Sequence, residues 1–314
     1  MSDKVLVIGY GPVGAATAQI LAARGQTVTV AQRRRPIGLP EAIPFVACDV
    51  VRRASLRVAA RGIQQIALAI GLPYSGALWR EIWPKIIDNV VATAAETGAR
   101  VVFVDNLYMY GPQAAPLTED MALTTFGLKP AARAAATRIW QAASVAGRVR
   151  FAALRAPDFY GPGVTLSVLG DTGLNALARG RSAFWFHDSD IPHDIAYVPD
   201  FARAVVSLLD APDDCFGQAW HVPCAPIRTG REVLALAAAA LGVAPRVRNL
   251  PFWAVRALGW VNPPIGEFVE MKFAWDRPYR VDSSKFAARF WADPTPFEEG
   301  VAQAALSLRQ SAAA

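Results

Sequence analysis

The sequence predicts an α/β fold, a Rossmann-type doubly wound parallel sheet followed by a smaller C-terminal substrate domain. Three observations carry this: short apolar strands alternate with helices, a glycine-rich turn follows the first strand, and the texture changes past Pro157. Lys4 to Ile8 is a β-rich apolar run bounded by glycine, and Pro12 to Arg24 then sets Val13, Ala16, Ile20 and Leu21 at helical spacing. Thr27 to Ala31, Phe45 to Cys48, Ile66 to Ile70 and Val101 to Val104 continue as strands without a polar face. A helical stretch around Ile86 to Thr97 ends at Gly98, and a long helix, roughly Pro130 to Ala146, leads into a strand from Arg150 to Leu154. Prolines, glycines and aromatics then become frequent, among them Trp185, Trp220, Trp253, Trp260, Trp275 and Trp291. The expected division is 1–160 for a dinucleotide-binding domain and 161–314 mainly for substrate, with some segments returning to the sheet.

Of the 314 residues 53% are hydrophobic and 18% charged, a balance that builds a large core and excludes a disordered chain. The net charge is +6, but no basic stretch interleaves with aromatics, so a small anionic partner fits better than nucleic acid. Cys48, Cys215 and Cys224 form an odd count without C-x-x-C spacing, which argues against a disulfide framework or zinc knuckle and for the cytoplasm. Val233 to Val243 is about half a membrane span, so neither membrane insertion nor a membrane partner is expected. No metal is expected either, because His187, Asp188, Asp190, His193 and Asp194 match no compact ligand spacing. No G-x-S-x-G elbow of a serine hydrolase occurs.

The run Gly9-Tyr10-Gly11-Pro12-Val13-Gly14 satisfies G-x-G-x-x-G between a strand and a helix, the context that the motif requires. Gly9 permits the tight turn, Gly11 lets the backbone approach a pyrophosphate, and Gly14 lets helix pack on strand. A nicotinamide dinucleotide is therefore the expected cofactor. Its form is expected to be NADP(H) rather than NAD(H): Gln32 stands where a ribose-binding carboxylate would, and Arg33, Arg34 and Arg35 follow with guanidinium groups suited to a 2′-phosphate. Asp49, after the third strand, is placed either to meet the adenine or simply to make a turn. Val50, Ala69, Asp105 and Pro157 complete the expected cofactor residues.

The glycine turn, the run Val102 to Gly111 (VFVDNLYMYG), the run Leu154 to Gly163 (LRAPDFYGPG) and the run His193 to Asp200 (HDIAYVPD) together resemble the extended and atypical short-chain dehydrogenase/reductases, the NAD-dependent epimerase/dehydratase-like family. The resemblance spans nearly the whole chain. It implies a Ser/Thr, a Tyr and a Lys that exchange a proton with a substrate hydroxyl while hydride moves to or from the nicotinamide. Aligned on Tyr110-Gly111, Asn106 takes the Ser/Thr place, and asparagine still donates a hydrogen bond. The Y-x-x-x-K signature itself is absent. Thr125 with Lys129 is one register; Lys129 in the tyrosine place with Arg133 in the lysine place is preferred, because the family lysine lies inside the long helix. Like charge on Arg133 would press Lys129 toward its neutral form. Tyr108 and His193 are further candidates. His193 also stands where nucleotide-sugar members present an arginine to a diphosphate, so with Trp79 and Trp83 the expected substrate is small and apolar or aromatic.

Three functions follow. The first is an NADP(H)-dependent oxidoreductase or epimerase/dehydratase-like enzyme with a non-standard proton donor. The others are a redox-silent NADP(H)-binding sensor or scaffold, and a non-redox lyase or isomerase that retains a structural dinucleotide. A homodimer through Trp83–Ala95 and Pro130–Ala146 is the analogy with relatives.

Overall fold

The computed structural model describes residues 3–313 and divides the chain into two compact units. The chain runs β1 (Lys4–Ile8), α1 (Pro12–Ala23), β2 (Thr27–Gln32), β3 (Phe45–Ala47), α2 (Arg53–Ala59), β4 (Gln65–Leu68), α3 (Gly76–Thr97), β5 (Arg100–Asp105), α4 (Lys129–Val145) and β6 (Phe151–Arg155). It continues through β7 (Phe159–Tyr160), α5 (Asn175–Ala178), β8 (Ala183–Phe186), β9 (Pro192–His193), β10 (Ala196–Tyr197), α6 (Val198–Leu209) and β11 (Ala219–His221). The last part holds β12 (Arg228–Thr229), α7 (Gly230–Leu241), β13 (Val247–Leu250), α8 (Phe252–Val261), α9 (Pro263–Gly266), α10 (Ser284–Arg289) and α11 (Phe297–Ala313).

The first unit comprises Met1–Gly111, Ala122–Arg155 and Phe201–Trp220. Its division from the second falls at Arg155 rather than 160, and 112–121 belong to the second unit, where Leu117 N–H donates to the Arg280 carbonyl. A seven-stranded sheet in the order β11-β6-β5-β4-β1-β2-β3 is its frame. Pairings from β3 through β6 are all parallel, with Val5 opposite both Val28 and Gln65. β4 and β6 are buried at every position, as strands covered on both faces must be. Strand order reverses between β1 and β4, so a crevice opens past their carboxyl ends, where doubly wound sheets place ligands.

Two boundaries differ from the expectation. α3 begins at Gly76, ten residues before Ile86, because Ser75 caps it by accepting from Leu78 N–H and because Pro84 is carried inside the helix. α2 has no counterpart in the sequence analysis; it is seven residues long and buries only Leu56 and Ala59. Trp83, Ile86, Ile87 and Val90 of α3 join Ala132, Ala136, Trp140 and Ala143 of α4 and the apolar strand residues in one core. Trp83 is 2% exposed, so it is core and not a substrate wall.

The second unit comprises Pro112–Met121, Ala156–Asp200 and His221–Ala314. Two-stranded pairs β10-β7, β12-β9 and β13-β8 tie it together, and a Thr229/Glu232 capping box starts α7. Gly300 admits Tyr160: a Cβ there would stand 2.5 Å from the Tyr160 hydroxyl oxygen. Among the described residues, no helix is long and apolar enough to cross a membrane.

Candidate functional site

The glycine turn is built from backbone. Gly9 holds φ +94°, and a Cβ on it would lie 2.3 Å from the Ala69 carbonyl oxygen. A Cβ on Gly14 would lie 2.1 Å from the Gly9 carbonyl oxygen, whereas one on Gly11 meets nothing within 4 Å. Two glycines are thus demanded by chain packing, and the third faces open space. Gly11 is the N-cap of α1 and supplies no side-chain acceptor, Pro12 opens the helix, and no acidic residue stands in the first turn. The amides at the positive end of this helix therefore await an anion from elsewhere, which fits a diphosphate.

Gln32 is tied into the turn. Its Oε1 accepts from Tyr10 N–H at 3.2 Å and its Nε2 donates to the Arg34 carbonyl at 2.9 Å. The carboxamide thereby fixes the arginine loop to the glycine turn instead of reaching for a ligand. Arg33, Arg34 and Arg35 are exposed; Arg35 donates to the Pro40 carbonyl at 3.4 Å, and the side chains of Arg33 and Arg34 take no partner among the described residues.

Three expected cofactor residues have other duties. Asp49 makes a turn, its Oδ1 accepting from Val51 N–H at 3.1 Å. Val50 presents its carbonyl to Asn89 Nδ2 at 3.0 Å. Asp105 is buried as the counter-ion of Arg133, with Arg155 Nε 3.5 Å from its Oδ2, and its Oδ1 accepts from Asn106 N–H at 2.8 Å. Ala69 lines the turn through its carbonyl. Pro157 is buried in a bend after β6, in the second unit.

This ion pair corrects the role expected of Arg133. The guanidinium is 3% exposed, bonded to Asp105, and centred 3.9 Å over the Trp83 ring; burial pushes its pKa below the ordinary arginine value, with Asp105 opposing. It is a core group one turn inside α4, and its charge is answered by Asp105. Arg155, 1% exposed, donates from Nη1 to the Tyr110 hydroxyl at 2.6 Å and from Nη2 to Thr137 Oγ1 at 3.3 Å.

Lys129 is fully buried at the start of α4, and its Nζ lies 4.7 Å from the centroid of the Tyr74 ring. The Tyr74 hydroxyl donates to that of Tyr108 at 3.5 Å, and both phenols are half-buried. Trp79 braces the pair by stacking on Tyr108 at 6.0 Å and donating from Nε1 to the Pro73 carbonyl at 2.9 Å. Asn106 Oδ1 accepts from Tyr108 N–H at 3.1 Å, which leaves the Nδ2 end of the amide as a donor. Tyr74 follows β4 and Asn106 and Tyr108 follow β5, so all three stand at the carboxyl edge of the sheet, as does the glycine turn after β1. Tyr74 was not singled out from sequence. Its only local signal is its position after a buried strand, which many loop tyrosines share.

His193 belongs to the second unit. Its ring stacks on Trp275 at 4.6 Å and on Tyr279 at 5.0 Å, with Trp185 edge-on at 6.1 Å. Burial lowers its pKa to about 3, and its Nε2 finds no hydrogen-bond partner among the described residues. The imidazole stands in an aromatic box, where burial favours its neutral form. In the same unit, burial raises Asp194 and Asp158 to about 6.

A groove of about 790 Å³ opens at the other, amino-terminal edge of the sheet, among Arg57, Arg61, Arg100, Arg150 and Asp213. Asp213 takes up Arg100 at 3.8 Å and Arg150 at 3.3 Å, and the groove has no glycine turn or phenol. The chemistry-bearing groups lie at the carboxyl edge.

No curated protein matches the sequence. Among solved structures, the UDP-glucose 4-epimerase of Thermus thermophilus in complex with NAD superposes with a TM-score of 0.79 at 20% identity, covering 98% of this chain and 99% of that one. WbmH of Bordetella bronchiseptica in complex with NAD+ gives 0.76 at 19% identity over 99% of each chain. The dTDP-glucose 4,6-dehydratase of Bacillus anthracis in complex with NAD gives 0.80 at 14% identity, over 98% of this chain and 97% of that one. Likeness at these identities establishes the shared fold. The model of the NAD dependent epimerase/dehydratase family matches residues 5–222, the span that carries the glycine turn, the β5 edge and the start of α4. The chain therefore belongs to the NAD dependent epimerase/dehydratase family, a family of enzymes that use a nicotinamide dinucleotide.

Proposed function

We propose that this protein is an NADP(H)-dependent oxidoreductase or epimerase/dehydratase-like enzyme for a small, mostly apolar carbonyl or alcohol, in which tyrosines outside α4 replace the signature phenol. The observation that carries this reading is the Tyr74–Tyr108 hydroxyl pair with Lys129 on the Tyr74 ring. A bound nicotinamide supplies or removes the hydride at the substrate carbon. Tyr108, with Tyr74 behind it, gives a proton to the substrate oxygen or takes one from it. Lys129 holds the Tyr74 ring in place, and Asn106 Nδ2 donates to the substrate oxygen, as the family hydroxyl would.

The cofactor reading rests on Gly9, Gly11 and Gly14 with the uncapped start of α1, and the NAD of the three structural relatives accords with it. Preference for NADP(H) rests on Arg33 and Arg34, whose forks are exposed and unpaired among the described residues, and on the carboxamide at Gln32 in place of a carboxylate. The half-buried Tyr108 ring, backed by the buried Trp79, supports an apolar or aromatic substrate.

A second reading, a redox-silent NADP(H)-binding sensor, is favoured by one fact: no tyrosine stands at the start of α4. Calorimetric titration with NADPH and NADH, followed by a panel of ketones, aldehydes and alcohols monitored at the nicotinamide absorbance band, separates the two. Tight NADPH binding with hydride transfer to a panel member is the expected result. Tight binding with no turnover across the panel favours the sensor, and no uptake of either coenzyme overturns both.

A further inference from the structure

The second unit carries an apolar helix face on which nothing packs among the described residues. In α8, Phe252 and Val255 point inward, while Trp253 is 75% exposed, Leu258 41%, Trp260 82% and Val261 82%. At 100° per residue Trp253, Ala257 and Trp260 fall on one narrow stripe, with Arg256 on one flank and Val261 on the other. Two tryptophans this exposed on a ten-residue helix are far from the ordinary scatter of surface apolar residues.

Along the segment that carries the stripe the charge has one sign, with Asp188 accepting from Asn249 Nδ2 at its edge and Glu267 following α9. From Val233 to Gly266 the chain contains no aspartate or glutamate, and its three cations, Arg246, Arg248 and Arg256, are all exposed. None of the three makes an ion pair among the described residues, although other surface arginines of this unit do, Arg231 with Asp190 and Arg228 with Glu298. In register with Arg248 stands Phe184, 43% exposed. Indole rings with an apolar body and one polar N–H partition to a bilayer interface, and guanidinium groups beside them meet lipid phosphates.

We propose that α8 docks this protein on an anionic phospholipid surface, with Trp253 and Trp260 in the interfacial layer and Arg246, Arg248 and Arg256 against the headgroups. The expectation of no membrane partner came from the lack of a spanning segment, and a helix lying in the interface needs none. A second copy of the chain is the poorer occupant. Two-fold pairing through the stripe would set the exposed Arg256 of one copy, without an ion pair among the described residues, against that of the other.

The test is co-sedimentation of the full chain with vesicles of phosphatidylcholine, with and without phosphatidylglycerol, at low and high salt. The expected result is binding to the anionic vesicles only, weakened by salt, and reduced about tenfold or more in W253S/W260S. R246Q/R248Q/R256Q is expected to remove the salt dependence. Both sets of positions are exposed, so thermal unfolding of the variants should match the parent. Failure to bind anionic vesicles, or equal binding by W253S/W260S, overturns the proposal. A concentration-dependent dimer that W253S/W260S abolishes, in the absence of vesicle binding, assigns the face to a second copy instead.

Discussion

The turn after β1 and the start of α4 are built from different materials. At the turn, the determining contacts are between main-chain atoms, Gly9 and Gly14 each facing a carbonyl where a Cβ cannot fit. At α4, everything depends on which side chain faces which: Arg133 finds Asp105, and Lys129 finds Tyr74. A backbone-built site announces itself by residue type, because only glycine meets the steric demand. A site built from side chains is specified by partners brought from the loop after β4 and the end of β5, both distant from α4 in sequence.

The sharpest way to break this contrast is at Asp105. Asp105→Ala leaves Arg133 and Arg155 buried without their carboxylate, and a loss of about 3–5 kcal/mol is expected in urea unfolding. A loss below about 1 kcal/mol would mean that α4 is anchored by apolar packing alone. Next comes the phenol pair. With a turned-over substrate from the carbonyl panel, Tyr108→Phe and Tyr74→Phe are expected to lower kcat by about 10²–10⁴ and roughly tenfold or more respectively, with NADPH affinity unchanged. Wild-type rates in both variants would return the proton transfer to an unassigned group.

At the turn, Gly9→Ala sets a methyl 2.3 Å from the Ala69 carbonyl at φ +94°, and about 2–3 kcal/mol of stability should go, together with coenzyme binding. Thermal unfolding with calorimetry on the same sample reads both. If NADPH still binds with parental affinity, the turn is not the diphosphate cradle.

His193 extends the contrast into the second unit. Its folded pKa, about 3, lies below the ordinary 6.5, so between these values the unfolded chain binds the extra proton and stability falls as pH falls. At pH 5 the histidine is expected to have lost about 2 kcal/mol relative to pH 7. Asp158 and Asp194, raised to about 6, act in the opposite sense, since protonation below that value favours the fold. The comparison that isolates the histidine is His193→Leu against the parent, whose stability difference should narrow or reverse toward pH 5. A constant difference from pH 7 to pH 5 would show that the imidazole takes up a proton inside its aromatic box. The smallest effect is at the arginine loop: Arg33→Ala and Arg34→Ala should each weaken NADPH about tenfold and leave NADH nearly unchanged. Equal losses for both coenzymes would assign the loop to general charge attraction.

The contrast also explains what was legible from sequence. β1 was placed to the residue, since its burial on both faces leaves an unmistakable apolar run. The beginning of α3 was missed because Pro84 marks a break in local terms, while packing of Trp83 and Ile86 in the core carries the helix through it. Asp105 was expected at the cofactor and Arg133 in the lysine place, because each was assigned by position along a motif. Neither position reveals that α4 lays the guanidinium over Trp83 and onto the carboxylate. Tyr74 escaped notice altogether.

Sequence alone determined the layered α/β fold and the dinucleotide-type turn, because both follow from local steric rules: strand burial, helical spacing and the lack of a Cβ. Only the tertiary structure decided which cations are buried with partners, where the phenols meet, and that His193 is buried among aromatic rings. Those depend on desolvation and on contacts between residues distant in the chain, and no short-range pattern encodes either.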